Sequence, residues 1–152
     1  MKILVFSDSH RFLSGMVQAI EEEKPDQVIH LGDLMGDAEE LSWRFQTLPI
    51  CMVPGNCDGW TTAPAIKRIT LQGRGILLSH GHLWGVKGGY DKAIGEARKS
   101  GVDILLFGHT HRACCQQLED GLWVMNPGAS RTSYGTILLE GDGISCTLTK
   151  LI

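Results

Sequence analysis

The sequence lacks any run of lysine or arginine, because its 14 basic residues are scattered among 17 acidic ones and the net charge is −3. Proteins that hold nucleic acid stably usually present a basic patch, since contacts with the phosphate backbone dominate their affinity. We therefore expect no stable complex with DNA or RNA.

The sequence also lacks a long apolar stretch. No segment approaches the roughly 20 consecutive apolar residues that a membrane-spanning helix needs. The first residues lead directly into a short strand-like run and do not have the layout of a signal peptide. We expect a cytoplasmic protein without a membrane partner.

Cysteine is present, but not in a pattern that indicates disulfides or a structural metal. The five cysteines are odd in number, and none of them forms a C-x-x-C pair. Cys114 and Cys115 are adjacent, so in a strand they would point to opposite faces. We interpret all five as reduced thiols that mostly pack in the core.

The composition predicts one ordinary globular domain over residues 1–152. Apolar residues make up 43% and charged residues 20% of the chain, which argues against disorder. A chain of this length can bury a core without the help of disulfides.

The periodicity predicts alternating strands and helices, followed by hairpins. Strands are predicted at residues 2–7, 27–31, 50–53, 65–71, 75–79 and 103–107, helices at 11–23, 38–45 and 90–99, and hairpins over 114–125 and 136–148. Early crossover units and late hairpins predict an α/β fold in which two mixed sheets pack together with helices outside.

Five of the predicted strands are followed directly by polar side chains that commonly bind metals. These side chains are Asp8 and His10, Asp33, Asn56, His80 and His82, and His109 and His111. In sheets with crossover helices, ligands bind beyond the carboxyl ends of the strands, so five such loops can meet at one crevice. Glycines within the same loops allow the backbone to approach the site closely.

These side chains predict a centre with two metal ions. The spacings D-x-H and H-x-H place alternate residues on one side of an extended loop, where both can face one ion. Seven first-choice ligands, which are all of these except His82, exceed the four of a tetrahedral zinc site. They suit two ions that share a bridging carboxylate, for which Asp33 is our choice. Two divalent ions carry four positive charges, of which Asp8 and Asp33 offset two and a bridging hydroxide a third. The remaining positive charge favours binding of a phosphate group.

The ordered series D-x-H, G-D, G-N-C-D, H-G-H and G-H-T-H closely resembles the calcineurin-like metallophosphoesterase family, and within it the small YfcE-like phosphodiesterases. The match extends from Asp8 to about Tyr134. The resemblance implies a four-layer α/β/β/α sandwich of two mixed β-sheets. It assigns Asp8, His10, Asp33 and His111 to one ion, and Asp33, Asn56, His80 and His109 to the other. The ions would be manganese first, with magnesium, nickel, zinc or iron as alternatives.

The implied activity is hydrolysis of a small phosphodiester or nucleotide-like substrate by a metal-bridging hydroxide that attacks phosphorus directly. Two alternatives stay open: a phosphomonoesterase, and a non-catalytic scaffold like the member of this fold in the retromer complex. Small relatives often form dimers or tetramers, so a homo-oligomer is also expected.

The sequence departs from many relatives at Cys57, where they have a histidine that assists the leaving group. A thiol is a poorer proton donor or acceptor at neutral pH, so we predict that His82 acts as the general acid or that a good leaving group is required. Arg131 follows the N-P-G-A-S segment and is predicted to contact substrate. Arg11 and Arg112, which follow ligand loops, are interpreted either as phosphate contacts or as surface charge.

Other residues receive structural interpretations. Ser9 is predicted to cap the first helix, and His30 to lie in the core or to support a ligand. Asp58 is interpreted either as a group that orients Asn56 or His82, or as an exposed side chain. The tryptophans are predicted to lie mostly in the core, with Trp60 and Trp84 alternatively flanking an aromatic part of the substrate; the full set is Trp43, Trp60, Trp84 and Trp123.

Overall fold

The computed structural model describes residues 1–151, which form ten strands and three α-helices. The strands are β1 (Lys2–Phe6), β2 (Gln27–His30), β3 (Ile50–Met52), β4 (Ile66–Leu71), β5 (Arg74–Ser79), β6 (Ile104–Leu106), β7 (Cys114–Gln117), β8 (Trp123–Asn126), β9 (Ser133–Glu140) and β10 (Gly143–Lys150). The helices are α1 (Ser14–Glu23), α2 (Met35–Arg44) and α3 (Asp91–Ser100), with single 3₁₀ turns at His82–Trp84 and Val86–Gly88. None of these helices is long and apolar enough to cross a membrane.

The strands form two mixed five-stranded sheets, as the sequence predicts. The first sheet has the order β10-β9-β1-β2-β3, in which β1, β2 and β3 are parallel, β9 runs antiparallel to β1, and the edge strand β10 runs antiparallel to β9. The second has the order β4-β5-β6-β8-β7, with β5, β6 and β8 parallel between two antiparallel edge strands.

The main core lies between the two sheets. Ile3 and Ile29 from the first sheet pack there with Ile76 and Ile104 from the second. The opposite face of each sheet is also covered by apolar groups: one of these outer clusters includes Met16 and Leu41 from helices α1 and α2, and the other Ala93 and Ala97 from α3. Burial on both faces explains the continuous apolar runs of the strands. The predicted four-layer α/β/β/α sandwich is confirmed.

The parallel strands of both sheets end on the same side of the molecule. The crossover between the sheets, residues 53–65, lies on this side as well. It starts at the carboxyl end of β3, and it leads to Ile66, which pairs with Ser79 at the carboxyl end of β5. All five predicted ligand loops therefore emerge at one end of the sandwich.

Some details differ from the predictions. Helix α1 begins at Ser14, three residues later than predicted, because the Phe12 N–H donates to the Ser9 carbonyl in a tight turn. Leu13 is the N-cap residue, so the predicted cap by Ser9 is wrong.

The predicted positions of the tryptophans and cysteines had mixed outcomes. Trp43 and Trp60 are 77% and 90% exposed, so their assignment to the core is wrong, whereas Trp84 is buried and cannot flank a substrate. Cys115 packs against the cluster between the sheets and Cys114 against the α3 side, which confirms that they point to opposite faces.

A candidate metal centre at the strand ends

The structure brings most of the predicted ligands into two overlapping clusters. In one, ligand atoms of Asp8, His10 and His111 lie within 4.8 Å of one another; in the other, those of Asp8, Asp33 and His80 do. Asp8, Asp33 and His80 are buried, whereas His10 and His111 are exposed. The centre therefore has a buried floor and an open side that faces solvent.

Asp8 connects the two clusters through a single oxygen. Its Oδ1 lies 3.2 Å from His111 Nε2, 3.6 Å from His80 Nε2 and 3.9 Å from His10 Nε2. Its other oxygen, Oδ2, accepts hydrogen bonds from Ser7 Oγ (2.7 Å) and from the His109 N–H (3.0 Å). Within residues 1–151, nothing donates a hydrogen bond to the buried Oδ1.

This orphaned oxygen tests whether the residues fit a cation. A buried carboxylate oxygen without a partner costs free energy, and a divalent ion among the three imidazoles would remove that cost. The donor set of carboxylate oxygens and imidazole nitrogens suits the first-row metals that the sequence predicts. The residues present therefore fit a divalent metal ion.

Asp33 and His80 form the buried floor of the centre. Burial opposes ionisation of Asp33, but the His80 ring and the Cys57 N–H hold its pKa well below the ordinary value. His80 Nε2 lies 3.3 Å from Asp33 Oδ2, while its Nδ1 lies 2.8 Å from the Leu31 carbonyl oxygen. Burial opposes protonation of His80, but its hydrogen bond with Asp33 and the Asp8 charge raise its pKa, so the metal-free ring favours a proton on both nitrogens. A bound ion would displace the Nε2 proton, and the Nδ1 hydrogen bond to a carbonyl is the usual support of a metal-binding histidine.

The remaining histidines surround His80. The Nδ1 atom of His109 lies 3.2 Å from His80 Nε2. The ring centre of His82 lies 5.6 Å from that of His80, and its buried Nδ1 has no hydrogen-bond partner among residues 1–151. Burial and the neighbouring His80 lower the pKa of His82. A lowered pKa leaves His82 mostly neutral near pH 7, which weakens it as a proton donor.

The ligand loops share an unusual backbone conformation. Eight non-glycine residues of the described chain have positive φ, and six of them are predicted ligands or the residue after one: Asp8, His10, Arg11, Asp33, His109 and His111. Such a conformation costs about 1 to 3 kcal/mol per residue and clusters at functional sites. Hydrogen bonds between loops hold it in place, from the Asp8 N–H to the Gly32 carbonyl and from the His10 N–H to the Asp33 carbonyl.

Two glycines allow the loops to close on the carboxylates. A Cβ atom on Gly55 would overlap the Asp33 carboxylate, and one on Gly108 would overlap the Ser7 side chain and crowd Asp8. The predicted need for close backbone approach is therefore confirmed at both positions.

A buried hydrogen-bonded chain behind Asp8 and Asp33 was only partly predicted. Ser9 Oγ donates to Asp37 Oδ2 at 2.6 Å and lies 2.9 Å from His30 Nε2, while the Gly32 N–H donates to His30 Nδ1. Asp37 also accepts from the Arg11 N–H at 2.7 Å. His30 is buried, as predicted, and its hydrogen bonds join the loops that carry Asp8 and Asp33. Asp37 was missed, because no local pattern distinguishes it from other acids early in a helix.

Two further side chains hold the ligand loops through their backbones. Asp58 accepts hydrogen bonds from the N–H groups of Asp33 (3.0 Å), Met35 (2.6 Å) and Gly55 (2.6 Å). Its predicted role as a group that orients Asn56 or His82 is thus replaced by one in holding the backbone. Asn126, the first residue of the N-P-G-A-S segment, had no predicted role of its own; it donates to the Gly108 carbonyl and to Thr110 Oγ1 and so fixes the last ligand loop.

The remaining residues that the sequence singled out are Asn56, Cys57 and Arg131. The exposed Asn56 donates from its amide to Cys57 Sγ at 3.7 Å. Cys57 is exposed, and hydrogen bonding to Asp33 raises the pKa of its thiol. The Arg131 guanidinium stacks over the Phe12 ring at 4.7 Å from its centre. Their roles remain predictions.

Comparisons with known proteins agree with this geometry. The family model described as the calcineurin-like phosphoesterase superfamily domain matches residues 1–139. The probable metallophosphoesterase YsnB of Bacillus subtilis is 35% identical over 153 aligned residues, which cover 93% of this chain and 86% of the relative.

Solved structures share the fold. A predicted phosphoesterase from Streptococcus pneumoniae superposes with a TM-score of 0.80 at 24% identity, covering 98% of this chain and 88% of that one. The vacuolar protein sorting protein Vps29 of Chaetomium thermophilum superposes with a TM-score of 0.82 at 22% identity, covering 99% and 89%. At these identities the two structures support the fold alone.

Proposed function

The chain belongs to the calcineurin-like phosphoesterase superfamily, and we propose that it is a hydrolase of phosphodiesters that depends on two divalent metal ions. The observation that carries the proposal is the buried Asp8 Oδ1, which lacks a hydrogen-bond partner among the described residues and faces three imidazoles at 3.2 to 3.9 Å. An unpaired buried carboxylate beside several histidines is the arrangement that a cation stabilises.

In this proposal Asp8, His10, Asp33 and His111 hold one ion, and Asp33, Asn56, His80 and His109 hold the other, with manganese as the preferred metal. Asp8 belongs to both clusters in the structure, whereas the proposal makes Asp33 the shared ligand. When bound, the ions would make water more acidic and offset the charge of the phosphoryl group.

The protein's own groups orient and stabilise the reacting parts. The Leu31 carbonyl sets the tautomer of His80, and the Cys57 N–H holds the Asp33 carboxylate. His10 and His111, with side chains 42% and 52% exposed, leave the centre open on one side, so a small or varied diester can approach. Neither neutral His82 nor the Cys57 thiol is a strong acid, which favours substrates with good leaving groups.

The test is turnover of an aryl phosphodiester and the matching monoester by chelator-treated protein, with and without manganese. We expect hydrolysis only with metal, and a higher kcat/KM for the diester. Asp33→Asn should lower that value more than about 100-fold, beyond what loss of a supporting group costs, whereas Asp142→Asn in the exposed β9–β10 turn should not. A faster monoester reaction would make the protein a phosphomonoesterase instead.

A second candidate is a non-catalytic scaffold, favoured by the similarity of the fold to Vps29. Under this alternative the metal would bind without any hydrolysis. Titration calorimetry with manganese, combined with the absence of turnover of both esters, would establish the scaffold function. A cytoplasmic location and a dimer or tetramer remain predictions from the sequence.

A further inference from the structure

A separate cleft lies beside the candidate metal centre, next to the loop that carries His109 and His111. It has a volume of about 310 Å³ and is lined by Val86, Lys87, Tyr90, Thr110 and Arg112. Thr110 lies between the two predicted ligands in the sequence, so the cleft and the metal centre share one loop. Its volume is at the lower end of the range for sites that bind small molecules.

The charge of this cleft has one sign. Two of its five lining residues are cations and none is acidic. Among the ion pairs of residues 1–151, neither Lys87 nor Arg112 has a carboxylate partner. The positive charge of Lys87 also reaches the metal centre, where it contributes, after burial and His80, to the lowered pKa of His109.

The floor of the cleft is held in position by hydrogen bonds. Thr110 Oγ1 accepts from the Arg112 N–H at 3.0 Å and from the buried Asn126 amide at 2.9 Å. The Tyr90 ring packs on Phe107, with 4.8 Å between ring centres, and forms an apolar wall with Val86. Two cations thus extend from a fixed loop and a short 3₁₀ turn over a partly apolar surface.

We propose that this cleft binds a second phosphate group of the substrate, at the same time as the scissile phosphate occupies the metal centre. The inference rests on the proposed function for the position of the scissile group. Arginine and lysine are the side chains that recognise phosphate, through charge-assisted hydrogen bonds and charge respectively. The apolar wall suits the carbon framework that joins the two phosphates.

The test compares two aryl nucleotide diesters that differ only in a hydroxyl or a phosphate at the far end of the sugar. The wild-type protein should have the higher kcat/KM for the ester with the second phosphate. Lys87→Gln and Arg112→Gln should each reduce this preference about tenfold, the effect of one exposed charge-assisted hydrogen bond. The matched control is the pair Arg44→Gln and Lys99→Gln. These changes remove the same kinds of charge near the C-terminal ends of α2 and α3 and should leave the preference unchanged.

A second measurement does not depend on turnover. Inorganic pyrophosphate, added to metal-free protein, should shift the backbone NMR signals of Lys87, Tyr90, Thr110 and Arg112, and the double variant Lys87→Gln/Arg112→Gln should lose these shifts. Equal kcat/KM for the two esters in the wild type, or an unchanged preference in the variants, would overturn the proposal. If neither ester is hydrolysed, the proposed function fails, and the pyrophosphate titration alone decides whether the cleft binds phosphate.

Discussion

At the scale of single residues, His30 links the loop of Asp8 to the loop of Asp33. Its Nδ1 accepts the Gly32 N–H at 3.1 Å, so the neutral ring carries its proton on Nε2 and donates to Ser9 Oγ, which in turn donates to Asp37. A protonated ring would have an N–H facing the N–H of Gly32. The chain of hydrogen bonds therefore requires a neutral imidazole, and burial lowers the pKa of His30 from 6.5 to about 4.

This pKa predicts a pH dependence of stability. In the unfolded chain His30 is protonated as the pH falls through its ordinary pKa of 6.5, whereas in the folded chain it is protonated only near pH 4. The contribution to the free energy of unfolding is therefore complete above pH 6.5 and is lost as the pH falls through this window. Between about pH 7 and about pH 5 the loss is about 2 kcal/mol, measurable by urea denaturation.

The control is His30→Gln, whose amide does not ionise in this range. The variant can be less stable at neutral pH, so the quantity to compare is the change in unfolding free energy from neutral to acidic pH. We expect a clearly smaller change in the variant, because other groups titrate equally in both proteins. Equal changes would mean that the pKa of His30 is the same in the folded and the unfolded chain.

The residues of the site differ in how far sequence could predict them. Asp8 and His10, or His109 and His111, are recognisable because a short spacing and a preceding strand mark them. Asp37 and Asn126 act on partners that are 28 and 18 positions away. Such support depends on which loops the fold brings together, and no local pattern contains that information.

At the scale of secondary-structure elements, two helices end in the same left-handed conformation with different residues. Lys24 at the end of α1 has φ 48°, and Gly101 at the end of α3 has φ 64°. Glycine adopts this conformation without the steric cost that a Cβ atom brings. We predict that Lys24→Gly raises the free energy of unfolding by about 0.5 to 1 kcal/mol, measured by urea denaturation.

The matched control is Gly101→Ala at the equivalent position of α3. It should lower the free energy of unfolding by about 1 kcal/mol, since a Cβ at Gly101 meets no other atom within 4 Å and the effect is that of the backbone alone. Destabilisation by Lys24→Gly would show that the lysine side chain contributes more than the cap conformation costs.

The elements themselves were predictable where burial decides them. Strands such as β1 and β6 are buried on both faces and therefore appear in the sequence as unbroken apolar runs. The start of α1 was misplaced because His10 and Arg11 have left-handed backbone that belongs to the ligand loop. The 3₁₀ turn at His82–Trp84 was also missed, since three residues are too few to show a period.

At the scale of the whole molecule, the apolar core and the candidate metal centre are spatially separate. The main core lies between the sheets, and the outer clusters lie beneath the helices. The centre occupies the loops at one end of the sandwich. We therefore expect the fold to persist without metal, while the loops around Asp8 and Asp33 lose the ion that balances their charge.

Removing metal should consequently lower the thermal midpoint without unfolding the protein. An ion present at 100 times its Kd stabilises the folded state by about 2.7 kcal/mol, which corresponds to about 5 to 10 °C for a chain of this size. Calorimetry before and after chelation would measure the shift, and far-UV circular dichroism of the metal-free protein would show whether the sheets remain. Asp8→Asn should abolish the shift, because it alters the carboxylate that belongs to both clusters. Loss of the sheet signal on chelation at room temperature would contradict the separation of core and centre, since the loops would then be required for the sandwich itself.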